Sequence, residues 1–247
     1  MKTNAYQERF YRKWTDAARL HALTIVERET DLFVLSDSAF EKKYVHALVT
    51  KHRTQIEQYI KKNKKFLTAL KPIAAEKNAP AIIKEMILAS KMAGVGPMAS
   101  VAGALSQYVA NDLAKQCDEL IIENGGDIFI KTKKNRRIGV YAGDSKFSGT
   151  LSLEISAQRT PLGICTSSGT VGHSLSFGNA DAIVVVARSA IVADSYATAI
   201  ANRVKKKSDI AKAITYTKSQ KLIKGIIIIM RDVLSAWGDI IISSNKK

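Results

Sequence analysis

Along this chain apolar residues alternate with polar ones in some stretches and recur every three or four residues in others, and each change of period outlines an element. Residues 23–35 (Leu23-Thr24-Ile25-Val26-Glu27-Arg28-Glu29-Thr30-Asp31-Leu32-Phe33-Val34-Leu35) are β-branched and apolar with some alternation, which predicts strands folded as a hairpin. Over 40–70 the apolar positions Val45, Leu48, Val49, Ile56, Tyr59 and Ile60 fall at helical steps between lysines, so one long or two shorter amphipathic helices are expected. A further helix is expected over about 80–92. Gly94-Val95-Gly96-Pro97 then breaks the pattern, and 98–105 restarts it with Pro97 suited to the first turn. The small residues Ala99, Ala102 and Gly103 predict close approach of a neighbouring element, with free N–H groups at the helix start as the weaker, anion-binding alternative.

The second half reads as short strands punctuated by glycine turns: 119–123, 127–131, 137–142, 150–155, 163–166 and 181–187. Helices are expected over 193–204 and 209–217, and two last strands over 225–230 and 238–242. The whole reads as helices and strands mixed, with many hairpins, and the class expected is α+β with mixed, largely antiparallel sheets flanked by helices.

Three segments carry candidate chemistry. Glu123-Asn124-Gly125-Gly126-Asp127 is a tight hairpin by its Gly-Gly step, yet it also sets acidic side chains beside bare backbone against which a ligand can lie. Cys165-Thr166-Ser167-Ser168-Gly169-Thr170-Val171-Gly172-His173-Ser174 follows a strand and is dense in hydroxyls and glycines, the composition of an anion nest for a pyrophosphate or sugar-phosphate. His173 at its edge is a candidate base, because imidazole titrates near neutral pH. In 193–202, Asp194 and Thr198 are four residues apart on one helix face. Asp194 is either the N-cap of that helix or, with Thr198, the start of a magnesium site.

The 247 residues carry a net charge of +16 and are 46% hydrophobic, enough for a sizeable core. The excess sits in Lys61-Lys62-Asn63-Lys64-Lys65, in 131–137 and in Lys205-Lys206-Lys207. Without interleaved aromatics or a reading helix these predict solvated faces and not a nucleic-acid site, a polyanion-binding or nucleotide-sensing module being the competing reading. Cys117 and Cys165 stand in no metal-ligand spacing. The longest apolar runs fall well below the roughly 20 residues of a membrane-spanning helix, and the opening Met1-Lys2-Thr3-Asn4-Ala5-Tyr6-Gln7-Glu8-Arg9 runs into charged residues where an export signal is apolar. A cytoplasmic protein with no membrane partner is expected, and a homo-oligomer is compatible with the sequence.

Gly94-Val95-Gly96-Pro97-Met98, Glu123-Asn124-Gly125-Gly126-Asp127, the run 166–177 and Ala193-Asp194 to Thr198-Ala199 come in an order that resembles the ApbE-like superfamily of FAD:protein FMN transferases, and within it a small prokaryotic branch. The resemblance spans essentially the whole chain, including 6–14 and Glu29-Thr30-Asp31-Leu32. It implies one ApbE-like domain over 1–247, with a strand-and-helix part to about 92 and a glycine-rich, ligand-binding part from about 93. It further implies Mg²⁺ held by Asp194 and Thr198, and FAD over the Gly125-Gly126-Asp127 turn and the Ser168-Gly169 loop, flanked by Asn124, Thr166, Ser167 and Thr170. His173 is placed by it near the scissile pyrophosphate. Family members move FMN onto a threonine or serine of an acceptor protein, so FMN transfer or FAD pyrophosphate cleavage is the expected activity. Where the transferases usually continue from their histidine with Asp-Pro, this chain has Ser174-Leu175.

Overall fold

A computed structural model describes residues 9–169 and 177–244. After a short 3-10 turn at Phe10–Trp14 the chain forms the hairpin β1 (His21–Glu27) and β2 (Thr30–Ser36). It continues through the helices α1 (Lys42–Lys62), α2 (Lys64–Thr68), α3 (Ala81–Ala93) and α4 (Val101–Leu113). Strands β3 (Leu120–Asn124), β4 (Asp127–Lys131), β5 (Arg136–Gly139), β6 (Leu151–Ile155), β7 (Leu162–Ser167) and β8 (Ala182–Ala187) follow. Helices α5 (Ala190–Ala201) and α6 (Ile210–Lys218) precede β9 (Ile223–Met230), β10 (Val233–Gly238) and β11 (Ile241–Ser244).

Eight strands form one sheet in the order β1-β2-β3-β4-β7-β8-β9-β10, and β11-β6-β5 form a second, with every pairing antiparallel. The expected α+β class holds. Because side chains alternate across a strand, the large sheet feeds two cores. Ile122, Phe129, Ile183, Val185, Ile226 and Ile228 pack under helices α1, α4, α5 and α6, while Ile121, Ile130, Ile164, Val184, Ile227 and Ile229 pack against Ile138, Leu153 and Ile155 of the small sheet. Both faces are covered, which is why β8 and β9 read as continuous apolar runs. A third cluster, built on Ile56, Tyr59, Phe66, Ile82, Ile83, Met86 and Leu105, joins α1 to α4.

The stretch 40–70 resolves into two helices, parted at Asn63 (φ −128°), which leaves the helical region. Gly94 (φ +77°) ends α3 as a left-handed C-cap whose N–H reaches Ser90 O, a conformation glycine adopts without steric cost. The last strand expected, 238–242, is corrected to two: β10 ends at Gly238 and β11 starts at Ile241. The helix expected from 193 starts three residues earlier, because Ser189 is its N-cap and accepts from Val192 N.

Candidate functional site

Gly125 and Gly126 close the β3–β4 hairpin with φ of +68° and +100°, the two positive values a two-residue turn between twisted strands demands. Without Cβ atoms they leave bare backbone on the wall of a cleft of about 2120 Å³. Asn124, Gly125, Gly126, Asp127, Thr166, Ser168, Asp194 and Thr198 line that one cleft. Ser167 lies buried at the end of β7 with its hydroxyl unpartnered, off the cleft lining. Gly169 donates its N–H to Ala180 O at 2.9 Å, and a Cβ there would lie 2.0 Å from Gly178 O, so close packing requires a glycine at this position. Thr170 and His173 lie outside the described residues.

Asp194 sits in the interior of α5, so it is not the N-cap of its own helix. Its Oδ2 instead accepts from Gly103 N at 2.9 Å, and the Ala102 N–H also points to this carboxylate. The carboxylate therefore caps α4 from a neighbouring helix, using N–H groups that Ser100 leaves open by bonding Pro97 O. The contact needs a glycine: a Cβ at Gly103 would stand 2.4 Å from Ala190 O and 2.9 Å from Asp194 Cβ. The close approach expected here is seen at Gly103, and Asp194 takes the Gly103 N–H that an anion would otherwise use.

Burial pushes the Asp194 carboxyl up to about 7, against the opposing pull of the Gly103 and Ala102 N–H groups. Across the cleft floor Asp127 is held well above the usual carboxylate range, first by burial and next by the Asp194 charge. Asp127 Oδ1 and Thr198 Oγ1 are buried and have no hydrogen-bond partner. Cys165 is the cross-strand partner of Asp127, its thiol 3.3 Å from Ala190 O and raised well above its ordinary value by burial and by Asp127. The Asp127 and Asp194 carboxyls, both raised by burial, and the unpartnered Thr198 hydroxyl line one cleft and are oxygen donors of the kind a hard cation takes. A hard cation would supply the missing positive charge, with phosphate and water oxygens filling its other positions. Among the described residues no three His, Cys, Asp or Glu side chains form a ready-made cage, so any such ion depends on its ligand for coordination.

Glu123, the other acid of the turn, is already engaged. Arg12 Nε donates to its Oε2 at 2.6 Å, and its Oε1 accepts from Tyr11 Oη at 3.1 Å and from Gly126 N at 2.8 Å. Arg12 also donates to Asp31 Oδ1 at 3.0 Å, and Arg9 Nε lies 3.3 Å from Asp31 Oδ2. This network fastens the N-terminal turn across the back of the Gly-Gly hairpin. It also brings up an aromatic wall: Tyr11 stacks on Tyr141 at 5.4 Å, and Phe10 meets Tyr141 and Trp14 edge-on. Phe10, Tyr11 and Tyr141 line the cleft. Residue-by-residue reading missed this wall; the only available signal was the density of aromatic and arginine residues in 9–14, and Tyr141 carried none.

Residues 12–233 match the family model described as "AbpE bacteria". Among curated proteins, the UPF0280 protein MJ1526 of Methanocaldococcus jannaschii is 39% identical over 221 residues, covering 87% of this chain and 90% of that one. A UPF0280 protein of Methanococcus aeolicus is 40% identical over 226 residues, covering 88% and 89%. Among solved structures, the apo flavinyl transferase ApbE of Pseudomonas stutzeri superposes with a TM-score of 0.61 at 14% identity, over 91% of this chain and 94% of that one. The flavin transferase ApbE of Vibrio cholerae gives 0.59 at 13%, over 88% and 96%. Identities this low carry the fold alone; the family match and the archaeal relatives carry membership, and the chain belongs to the ApbE-like family in its UPF0280 branch.

Proposed function

We propose that this protein binds FAD in the cleft together with a divalent cation and either transfers FMN to a hydroxyl of an acceptor protein or hydrolyses the FAD pyrophosphate. The observation that carries this reading is the convergence of Asp127, Asp194 and Thr198 on one cleft, with Asp127 Oδ1 and Thr198 Oγ1 buried and unpartnered, beside the Gly125-Gly126 backbone that lines the same cleft. The donors suit Mg²⁺, which, when bound, supplies charge neutralisation on the phosphate oxygens and Lewis-acid polarisation. Ordinary ligand pockets hold roughly 300–1,000 Å³; this cleft exceeds that, as a site for a dinucleotide and a second reactant should.

The chain's own residues have separable duties in this reading. Asp194 and Thr198 hold the cation, and Asp127 shares its charge. The Gly125-Gly126 turn, Asn124, Thr166 and Ser168 contact the nucleotide, and Tyr11, Tyr141 and Phe10 offer flat faces to its rings. In the reaction an acceptor or water oxygen attacks the phosphorus of the FMN half. The pyrophosphate P–O bond breaks with AMP leaving, and the proton of the attacking O–H passes to a base, the role the family resemblance gives to His173. Mass spectrometry after incubation with FAD and Mg²⁺ tests the proposal. FMN plus AMP, or an FMN adduct of an added protein with AMP, supports it; intact FAD under all divalent cations overturns it.

A further inference from the structure

We propose that the lysine-rich arm formed by the end of α1, α2 and the segment running to residue 77 is the docking surface for an acidic, leucine-anchored protein segment, the acceptor of the reaction above. The identity of the partner as acceptor rests on the proposed function; the docking surface itself does not. Lys61, Lys62, Lys64, Lys65, Lys71 and Lys77 are all exposed, and among the described residues none of their ammonium groups has an ion-pair or hydrogen-bond partner. The one carboxylate in that stretch, Glu76, accepts from Asn63 Nδ2 at 3.3 Å. Elsewhere the chain does pair exposed lysines: Lys51 with Asp112 at 2.9 Å, Lys133 with Asp118, Lys207 with Asp232. Exposed lysines without an ion pair occur elsewhere among the described residues too, Lys42, Lys43, Lys84, Lys221 and Lys224 among them, so what marks the arm is density: four of the five residues 61–65 are lysines.

The arm is fixed in place at the cleft. Phe66 is fully buried and meets Tyr59 edge-on at 5.1 Å, which anchors α2 to α1. Just beyond, Ala69 packs so closely on Gly96 that a Cβ there would stand 1.7 Å from Ala69 O. Leu67 and Leu70, 48% and 60% exposed, are left on the lip and line the cleft with Lys61. Two leucines standing in water among unpaired ammonium groups complement a segment that carries carboxylates and apolar side chains. A nucleic acid fits less well: the cations are lysines and not phosphate-forking arginines, and the arm presents no aromatic face for a base.

Fluorescence anisotropy, without flavin or Mg²⁺, decides. The probes are a labelled peptide of Glu and Leu around one Thr, its Gln-for-Glu counterpart, and a single-stranded oligonucleotide of equal length. The acidic peptide should bind tightest and weaken by about tenfold or more in K62E/K64E/K65E and, separately, in L67D/L70D. K221E/K224E, outside the arm and the cleft lining, should stay within about twofold. Equal binding of the oligonucleotide, or equal losses in the K221E/K224E control, would overturn the assignment by making the attraction one of net charge. Retention of full affinity in L67D/L70D would overturn the leucine anchor. Because the readout contains no FAD, it can fail while FAD cleavage stands, and stand while FAD cleavage fails.

Discussion

At the level of single residues, Asp194 combines two roles that have different signatures. As the cap of α4 it is expected to cost about 0.5–2 kcal/mol when replaced by Ala, and as the proposed cation ligand its loss should also abolish the Mg²⁺-dependent rise in Tm that the proposed function predicts with FAD. Thr198→Val separates the roles. Thr198 Oγ1 has no protein partner, so the apolar isostere should leave Tm unchanged or slightly higher while weakening the Mg²⁺ response. Thermal melts of both variants with FAD, with and without Mg²⁺, check this; a full Mg²⁺ response in both would remove them from the cation site. His52 supplies a pH dependence away from the cleft. It is buried in α1, its Nε2 is 3.0 Å from Asp112 Oδ2, Lys51 shares that carboxylate, and Tyr108, bonded to Glu85, meets its ring edge-on. Burial lowers its pKa more than Asp112 raises it. A base with a depressed folded pKa binds fewer protons folded than unfolded, so its contribution is complete above the ordinary histidine pKa of about 6.5 and is lost as pH falls below it. Denaturation midpoints should drop between about pH 7 and 5, and His52→Gln should flatten that slope. The Asp194/Thr198 pairing was legible from i, i+4 spacing. That Asp194 caps a different helix was not, because a partner 91 residues away leaves no local mark.

Elements show the same division between local signal and distant constraint. Gly103→Ala is expected to cost roughly 1–3 kcal/mol by overpacking α4 against α5, where an exposed helical Gly→Ala would stabilise; chemical denaturation gives the sign. The N-terminal turn is held by charge: Arg12→Ala leaves Glu123 and Asp31 without their main partner, and a loss of about 3 kcal/mol is expected. Comparison of Arg12→Ala with Lys13→Ala in urea melts checks it. Most helices and strands were readable, since α3 and α4 are bounded by Pro and Gly and the core strands are unbroken apolar runs. Strand β10 was not. It is a half-exposed edge strand, and its turn from β9 places Arg231 at φ +56°, so the glycine or asparagine that marks such turns is missing. The start of α5 was misread for a related reason: Ile191 and Val192 are β-branched, and only Ser189 marks the cap.

In the whole molecule, the cleft lies where the helical layer, the end of the large sheet and the N-terminal turn converge. Its lining accordingly draws on segments from residue 9 to residue 202. Sequence order brought out the glycine turn, the hydroxyl-rich strand end and the Asp194 helix as separate motifs; only the antiparallel order β3-β4-β7 sets two of them side by side, with Thr166 N bonded to Gly126 O at 3.2 Å. No helix among the described residues is long and apolar enough to cross a membrane. The central claim is that Asp194 and Thr198, with Asp127 beside them, hold a divalent cation against a dinucleotide phosphate. Anomalous diffraction from crystals soaked with Mn²⁺ and FAD measures this directly. A Mn²⁺ peak in contact with the Asp194 carboxylate and Thr198 Oγ1, with a phosphate oxygen completing the shell beside the Gly125-Gly126 turn, is the predicted result. FAD bound in the cleft with Mn²⁺ absent from these oxygens, or FAD bound elsewhere, would contradict it.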